Sequence, residues 1–492
     1  MQGWKGNVLA LFAGALMPLA FAPFFLYPLA LVSLLLLFLC WDRVTAKQAA
    51  WRGWLFGLGM FGVGVSWIFV AIHVFGQSGL ILAGLLTFLF VAFLSLYLAV
   101  LGYLLKKLSP GAFFASDFLL LLPAGWLGFE LFKGWFLSGF PWLEAGVSQI
   151  EGPLAGCVPL IGISGASLLL AMTAGALLVV IKQRQWLWLL PVVALWSAGP
   201  FLKNINWTQP LGEPIDTAII QGNIPQQIKW EPEQLVNTLV LYQTLTQQHW
   251  DADLVVWPEN ALPAFYHQLE DFYLKPLAEE ARQHQTDILL GLPVSDDDNL
   301  RYYNSMMSVG SEQDFYHKRH LVPFGDYVPF EWLRGLIAFF DLPMSAFVPG
   351  PEKQPLLQAA GHKVGVSICY EDVFSAEVLQ TLPEASLLVN ATNNAWYGDS
   401  FAPHQHLQIS RSRALETGRP LVRATTNGIS AFVNFKGEIE AQTPQFEQAA
   451  LTQAVQPRQG ETPYVSLQCW PIWLLSLLML CLWAYYRHKK SD

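Results

Sequence analysis

Gly365-Val366-Ser367-Ile368-Cys369-Tyr370-Glu371-Asp372 carries an alternating apolar strand into a cysteine flanked by acids. A strand-to-helix corner of this kind exposes a nucleophile, and helix N-terminal amides stabilise a thiolate or a nearby oxyanion. A free cysteine is as readily a small buried hydrophobe, so the octapeptide alone leaves both readings open. Outward from it, β-branched and apolar runs recur at 216–224, 253–257, 287–294, 306–309, 363–368 and 386–389, with helix-like stretches near 231–250, 269–284 and 402–417. Strands alternating with helices in this way predict a layered α/β domain of about 250 residues, ample for one core.

Two more strand ends carry polar groups, and strand ends are where α/β domains gather their chemistry. Leu254-Val255-Val256-Trp257-Pro258-Glu259-Asn260 ends a buried run at a carboxylate. Taken alone, Glu259 reads as an exposed loop acid, since Glu is rarely buried. Tyr316-His317-Lys318-Arg319-His320-Leu321-Val322-Pro323-Phe324-Gly325-Asp326 reads, alone, as a solvated basic cluster.

The rest of the chain has a different character. Of 492 residues 53% are hydrophobic and 13% charged, which disfavours an ordinary soluble globular protein and rules out disorder and fibrous repeats. Residues 1–203 carry 10 Lys/Arg and 5 Asp/Glu, leaving 18 and 32 beyond, so a net +5 membrane part precedes a net −14 soluble part. An acidic soluble domain argues against nucleic acid as a partner.

A helix needs roughly 20 mostly apolar residues to cross a bilayer core of about 30 Å. Spans are expected near 7–22, 27–41, 54–73, 79–104, 117–138, 154–181, 186–202 and 470–486, the first two short and separated by Pro23 to Pro28, as in a tight hairpin. With Lys5 inside, the inner loops hold Arg43, Lys47, Arg52, Lys106, Lys107, Lys182 and Arg184, and the tail holds Arg487, Lys489 and Lys490. The first two outer loops carry no Lys or Arg and the third has only Lys133. This asymmetry predicts eight crossings with both termini cytoplasmic and the segment from about 204 to 465 outside. A cleaved signal peptide ending at Ala20-Phe21-Ala22 is the rival reading, but Pro23 would impede cleavage and further spans follow at once. The expected division is a transmembrane bundle at 1–203, an extracytoplasmic catalytic domain at 204–465, and a last helix with its tail at 466–492.

Cys40, Cys157 and Cys481 fall in expected spans and Cys469 at the edge of one, leaving Cys369 alone in the interior of the soluble domain. It cannot form an intradomain disulfide, and an unpaired thiol in an oxidising space is a liability unless buried or used.

Together the three strand ends are far more specific than any one. The Trp-Pro-Glu strand end, the lysine in His-Lys-Arg-His-Leu-Val-Pro-Phe-Gly and the Ile-Cys-Tyr-Glu-Asp elbow stand 59 and 51 residues apart. In that order they resemble the Glu-Lys-Cys triad of the nitrilase (carbon-nitrogen hydrolase) superfamily. With the membrane bundle around it, the whole chain resembles the apolipoprotein N-acyltransferase family. The resemblance implies a polytopic bundle of about eight transmembrane helices carrying an extracytoplasmic α/β nitrilase-like αββα sandwich, in the bacterial inner membrane with the catalytic domain periplasmic. It implies that Cys369 takes the sn-1 acyl chain of a phospholipid, phosphatidylethanolamine by preference, as a thioester. The α-amino group of an N-terminal diacylglyceryl-cysteine on an apolipoprotein then accepts it.

The residue types fit that chemistry: Glu259 as general base and acid, Lys318 as the cation facing the developing oxyanion, and Cys369 as nucleophile, with the Tyr370 N–H as an added donor. The resemblance also implies that Glu371, two residues on, orients the nucleophile or Lys318; Asp326 stands where relatives commonly carry Glu, which leaves its duty open; Tyr370 is expected to gate access. By resemblance Trp230 and Trp142 line the lipid entrance, with an interfacial aromatic anchor as the alternative. Asp326 to Gly350 and Asn393 to Pro403, with Trp396 and Tyr397, are candidate lids, a packed loop being the alternative for both.

His404 and His406 have a spacing compatible with metal, but the remaining ligands of a zinc site are lacking; no metal and no other cofactor is expected. They read instead as an ordinary N-terminal feature of a packed helix. No Walker or dinucleotide glycine motif implies a nucleotide. Glu130 and Lys133 are expected as a structural pair near the outer end of a span. The expected partners are the phospholipid donor, the apolipoprotein acceptor and the bilayer, with the enzyme a monomer. A membrane-tethered amidase that gives the acyl group to water uses the same triad, because water exclusion and the entrance choose the acceptor. A transporter with an accessory domain ranks last, for want of charges at the membrane midplane.

Overall fold

The computed structural model describes residues 3–296, 301–328 and 346–489. The chain forms two compact units, one of Met1–Phe69, Gly79–Asn206 and Ser466–Asp492, the other of Val70–Ser78 and Trp207–Val465.

The first unit is helical. Helices Trp4–Leu16 and Pro28–Trp41 form a short hairpin, joined through Ser33 Oγ, which donates to the Ala13 carbonyl at 2.7 Å. Three helices among the described residues are long and apolar enough to cross a membrane: Leu80–Leu108, Pro153–Gln183 and Trp186–Lys203. Ala46–Gly64 with Ile68–Phe75 makes a fourth if a pair bent by 62° counts as one span.

That bent pair departs from the stretch expected at 54–73. The helix starts at Ala46 because Thr45 and Gln48 form a reciprocal capping box, at 3.2 and 3.1 Å. It tolerates Arg52 in its buried face because the guanidinium donates to the Cys40 carbonyl at 2.7 Å. It ends at Gly64, and the Val70–Ser78 segment belongs to the second unit. Close helix approach is set by Gly14, where a Cβ would collide with the Phe56 carbonyl. Glu130 and Lys133 are both fully buried and hold the same loop: Glu130 Oε1 accepts from Trp126 Nε1 and the Ala145 N–H, and Lys133 donates to the Phe140 and Trp142 carbonyls.

The second unit is a sandwich. Its strands are β1 (Gln209–Pro210), β2 (Ile215–Gln221), β3 (Leu254–Val256), β4 (Asp287–Ser295), β5 (Tyr302–Val309), β6 (Phe315–His317) and β7 (Leu357–Ala359). They continue as β8 (His362–Ile368), β9 (Leu387–Thr392), β10 (Leu421–Thr425), β11 (Ala431–Val433), β12 (Ile439–Gln442), β13 (Ala449–Val455) and β14 (Arg458–Gln459). One six-stranded sheet runs β13-β2-β3-β4-β5-β6 and the other β12-β11-β10-β9-β8-β7. The central strands β2, β3 and β4 are parallel, as are β8, β9 and β10; antiparallel strands flank both sets.

Side-chain alternation builds the layers. Ile219, Val256, Leu289 and Met306 on one sheet face Val366, Ile368, Val389 and Val422 on the other, forming the core between them. Each such buried aliphatic contributes about 1.5–3 kcal/mol. The neighbours Ala218, Ile220, Val255 and Leu290 point outward, against Leu239 and Tyr242 of helix Pro232–Gln247 and Leu277 and Ala281 of helix Lys275–His284. Helices Ser375–Leu379 and Phe401–Thr417 pack on the second sheet, completing four αββα layers. Burial on both faces explains why Leu254-Val255-Val256 reads as continuous apolar sequence without alternation.

Candidate active site

The three polar strand ends meet in the second unit. Glu259 follows β3 through Trp257, whose N–H donates to the Leu289 carbonyl at 2.8 Å and whose indole donates to Thr246 Oγ1 at 3.0 Å. The strand is thereby held to its end, and Glu259 is 5% exposed, not a loop acid in solvent. Its Oε1 accepts from Asn304 Nδ2 at 2.7 Å and Lys318 Nζ at 3.4 Å, and its Oε2 from the Asn393 N–H at 2.8 Å.

Lys318 directly follows β6, pinned by its N–H on the Asn304 carbonyl and by the Gly350 N–H on its own carbonyl, both at 2.8 Å. Its ammonium is 1% exposed and lies 2.8 Å from Asp326 Oδ2. The shorter Asp therefore reaches the lysine, and the same oxygen accepts the Val322 N–H at 2.8 Å, closing the loop that brings it there. The neighbouring Arg319 instead pairs with Glu377 at 3.0 Å.

Cys369 stands at the end of β8 with φ +52°, in the left-handed region that a non-glycine residue occupies at a cost of about 1–3 kcal/mol. Glu371 is fully buried and ties this elbow to the lysine loop. Its Oε2 accepts the Ile368 N–H at 2.7 Å, while Oε1 accepts the Arg319 N–H at 2.6 Å, the His320 N–H at 3.3 Å and the Tyr316 hydroxyl at 3.0 Å. One carboxylate thus anchors both the Cys369 elbow and the Lys318 loop. The Tyr370 ring packs edge-on to Phe374, with centroids 5.1 Å apart.

The charges are mutually dependent. Burial works against ionised Glu259, yet Lys318, Asn304 and Lys229 together hold its carboxyl below the usual carboxylate range. Burial likewise opposes a charged Lys318, but Asp326 and Glu259 hold the ammonium well above its ordinary value. Burial, reinforced by Glu259 and opposed by Lys318, pushes the Cys369 thiol up to about 12. At rest the site therefore holds a carboxylate, an ammonium and a protonated thiol, an arrangement in which a carboxylate can take a proton from a thiol.

Several groups around the site were not read from the sequence as part of it, although Asn393 and Tyr397 lie in a segment expected as a lid. Lys229 is 1% exposed and donates to the Glu259 carbonyl oxygen at 3.3 Å; burial draws its ammonium down to about 8. The one hint was a lysine set between Ile228 and Trp230. Asn304 on β5 and the Asn393 N–H belong to the same group. Burial, with the nearby charges of the site, holds the Tyr397 hydroxyl above its ordinary pKa, and its neighbour Trp396 meets Phe75 edge-on at 5.9 Å, so the Val70–Ser78 segment packs on this turn.

Trp230 is half-buried in the turn before helix Pro232–Gln247. Trp142 lies in the first unit, 3% exposed, stacked on Phe140 and tilted by 58° against Trp67. Of the two candidate lids, 394–397 forms a short turn, whereas 329–345 lies outside the described residues. His406 is buried beneath the elbow, and among the described residues no group of three or more His, Cys, Asp or Glu is arranged to hold a metal ion.

Residues 13–176 match the apolipoprotein N-acyltransferase N-terminal domain, and residues 216–464 match the carbon-nitrogen hydrolase family. The chain is 45% identical to the apolipoprotein N-acyltransferase of Methylococcus capsulatus, covering 95% of this chain and 93% of that one. It is also 45% identical to the Azotobacter vinelandii protein of the same name, covering 99% and 96%. A solved CN-hydrolase superfamily protein from Xanthomonas campestris aligns at 16% identity over 50% of this chain and 91% of its own, with a TM-score of 0.39. Near-full-length identity at this level means that the chain belongs to the apolipoprotein N-acyltransferase family.

Proposed function

We propose that this protein moves an acyl chain from a phospholipid, through a thioester on Cys369, to the α-amino group of the N-terminal diacylglyceryl-cysteine of an apolipoprotein. In the first half-reaction Glu259 takes the thiol proton as sulfur attacks the sn-1 ester carbonyl of phosphatidylethanolamine. Lys318 faces the oxyanion of the tetrahedral intermediate. Collapse breaks the ester C–O bond, Glu259 returns the proton to the leaving lysophospholipid, and the thioester remains. In the second half-reaction the acceptor amine attacks the thioester carbon and Glu259 takes a proton from nitrogen; collapse breaks the C–S bond, and Glu259 passes that proton to the departing sulfur, regenerating the Cys369 thiol and leaving the amide.

The observation that carries this reading is the buried Lys318 ammonium, 3.4 Å from Glu259 and 2.8 Å from Asp326, coupled to a cysteine at positive φ. Asp326 and Glu371 position the lysine and the elbow, and Tyr370 gates the thiol. Trp230 and Trp142 serve as lipid contacts. The catalytic domain at 204–465 is periplasmic, carried by eight crossings of the inner membrane at 1–203 and 466–492 with both termini cytoplasmic; the Lys/Arg distribution supports this orientation. The enzyme acts as a monomer. Membership of the apolipoprotein N-acyltransferase family disfavours the amidase alternative.

Intact mass spectrometry after incubation with phosphatidylethanolamine alone tests the first half-reaction. A mass gain of one acyl chain, absent from Cys369→Ala, is expected. Turnover of small amides without a lipid adduct would favour the amidase.

A further inference from the structure

Behind the nucleophile lies a second buried polar cluster that acyl transfer does not use. Asp372, Asn390, Asn394, His406, Ser410 and Arg423 are each at most 2% exposed. Arg423, on β10, donates from Nη1 to Asn390 Oδ1 at 2.5 Å and from Nη2 to Asn394 Oδ1 at 3.0 Å. A guanidinium only donates, so it fixes both amides with oxygen toward itself and nitrogen away.

Two consequences converge on one atom. Asn390 Nδ2 donates to the Cys369 carbonyl at 3.3 Å, and also to Ser367 Oγ at 3.1 Å and the Ser367 carbonyl at 3.3 Å. Asn394 Nδ2 faces His406 Nδ1 at 3.2 Å, so that ring nitrogen accepts and the imidazole proton sits on Nε2. Nε2 in turn donates to Asp372 Oδ1 at 2.8 Å and to the Cys369 carbonyl at 3.2 Å. Burial and the adjacent Arg423 pull the His406 pKa down, consistent with this neutral tautomer. Asp372 also accepts from Ser410 and lies 3.5 Å from Arg423, so the cluster is balanced in charge.

We propose that Arg423 is a positioning residue for the nucleophile: through Asn390 and His406 it orients both donors that grip the Cys369 carbonyl, and so holds the left-handed peptide that aims the thiol at Glu259 and Lys318. The inference rests on the proposed reading only in taking Cys369 as the nucleophile. It gives His406 a duty unrelated to metal, and it explains why an arginine is buried in the middle of a strand.

The test uses the full-length protein in detergent micelles with phosphatidylethanolamine, following acyl-enzyme by intact mass. Iodoacetamide labelling of the Cys369 peptide serves as a probe independent of lipid. Asn390→Asp keeps the size and still faces Arg423 but cannot donate; His406→Ala removes the other donor; His406→Gln retains one. Asn390→Asp and His406→Ala are expected to slow acylation about 100-fold, with KM within about three-fold, and His406→Gln to recover to within about ten-fold of the parent. Labelling should follow the same order. The proposal is overturned if Asn390→Asp acylates within about three-fold of the parent, or if His406→Gln is as slow as His406→Ala. Should His406→Ala fail to fold, the Gln and Asp variants decide. A parent that forms no lipid adduct while labelling keeps this order would sink the acyltransferase reading and leave the positioning role supported.

Discussion

Replacing Asp326 by Asn removes one charge from a balanced set. Two buried ammonium groups, Lys229 and Lys318, face two buried carboxylates, Glu259 and Asp326, and none of the four is more than 8% exposed. The asparagine keeps an acceptor for Lys318 but leaves a net positive charge in a nearly dry site. At an effective dielectric near 20, a unit pair at the 2.8 Å of Lys318–Asp326 is worth about 6 kcal/mol before desolvation is counted, against about 5 kcal/mol at the 3.4 Å of Lys318–Glu259. Removing one partner of such a buried pair costs about 3–5 kcal/mol net. Lys318, released on one side, is drawn to Glu259, which stabilises that carboxylate and weakens it as a base. Acyl-enzyme formation should fall about 100-fold. Asp326→Glu restores the charge but gives up the fit to the Val322 N–H, and should lie between the two. Intact-mass time courses with phosphatidylethanolamine, beside chemical denaturation of the solubilised protein, read both effects. Acylation within about three-fold of the parent, with an unchanged unfolding midpoint, would refute the idea that Asp326 holds Lys318.

Acylation requires Glu259 ionised and the thiol as proton source; with Glu259 held below the usual carboxylate range and Cys369 pushed up to about 12, rate should be lost only as pH falls through the depressed carboxylate value. A plateau from about pH 5 to about pH 9 is expected in acyl-enzyme formation, and a midpoint near 6.5 would point to a histidine base instead. Lys229→Met removes an ammonium drawn from 10.5 to about 8, so folding opposes its charge at neutral pH and that cost is relieved as pH rises from 8 to 10.5. The variant should melt higher at pH 7, yet its acid limb should move up because Glu259 loses a stabilising cation; an unmoved limb would show that Lys229 does not act on Glu259. Glu371→Gln turns an oxygen that accepts backbone N–H groups into a donor, whichever way the amide faces. A stability loss of about 1–3 kcal/mol with at least ten-fold slower acylation is expected; wild-type melting and burst would contradict the double anchoring.

The strands that were legible are those buried on both faces. Leu254-Val255-Val256 and Leu387-Leu388-Val389 are unbroken apolar runs because parallel central strands have no wet side. β10 escaped because Arg423 interrupts Leu421-Val422 and Ala424, and its burial makes sense only beside Asp372, 51 residues earlier. The strand end at β6 looked, taken alone, like a solvated basic cluster, although Lys318 beside it is buried between carboxylates brought from 59 residues before and 8 after. The start of helix Ala46–Gly64 was hidden from hydropathy by Lys47 and Arg52, while the capping residues Thr45 and Gln48 marked it. Glu259, Lys318 and Cys369, the trio proposed as catalytic, stood out in the sequence because each ends a strand. Lys229, Asn304 and His406 did not, since single polar residues in turns, strands or helices acquire a role only when the sandwich closes around them.

The most direct measurement follows the acyl chain itself. Phosphatidylethanolamine with an isotopically labelled sn-1 chain is incubated with the protein, then chased with a diacylglyceryl-cysteine peptide. Label should appear first as a thioester on Cys369 and then as an amide on the peptide's α-nitrogen, with neither product from Cys369→Ala. Release of label as free fatty acid with the peptide unmodified, or N-acylation by Cys369→Ala, would contradict transfer through the cysteine.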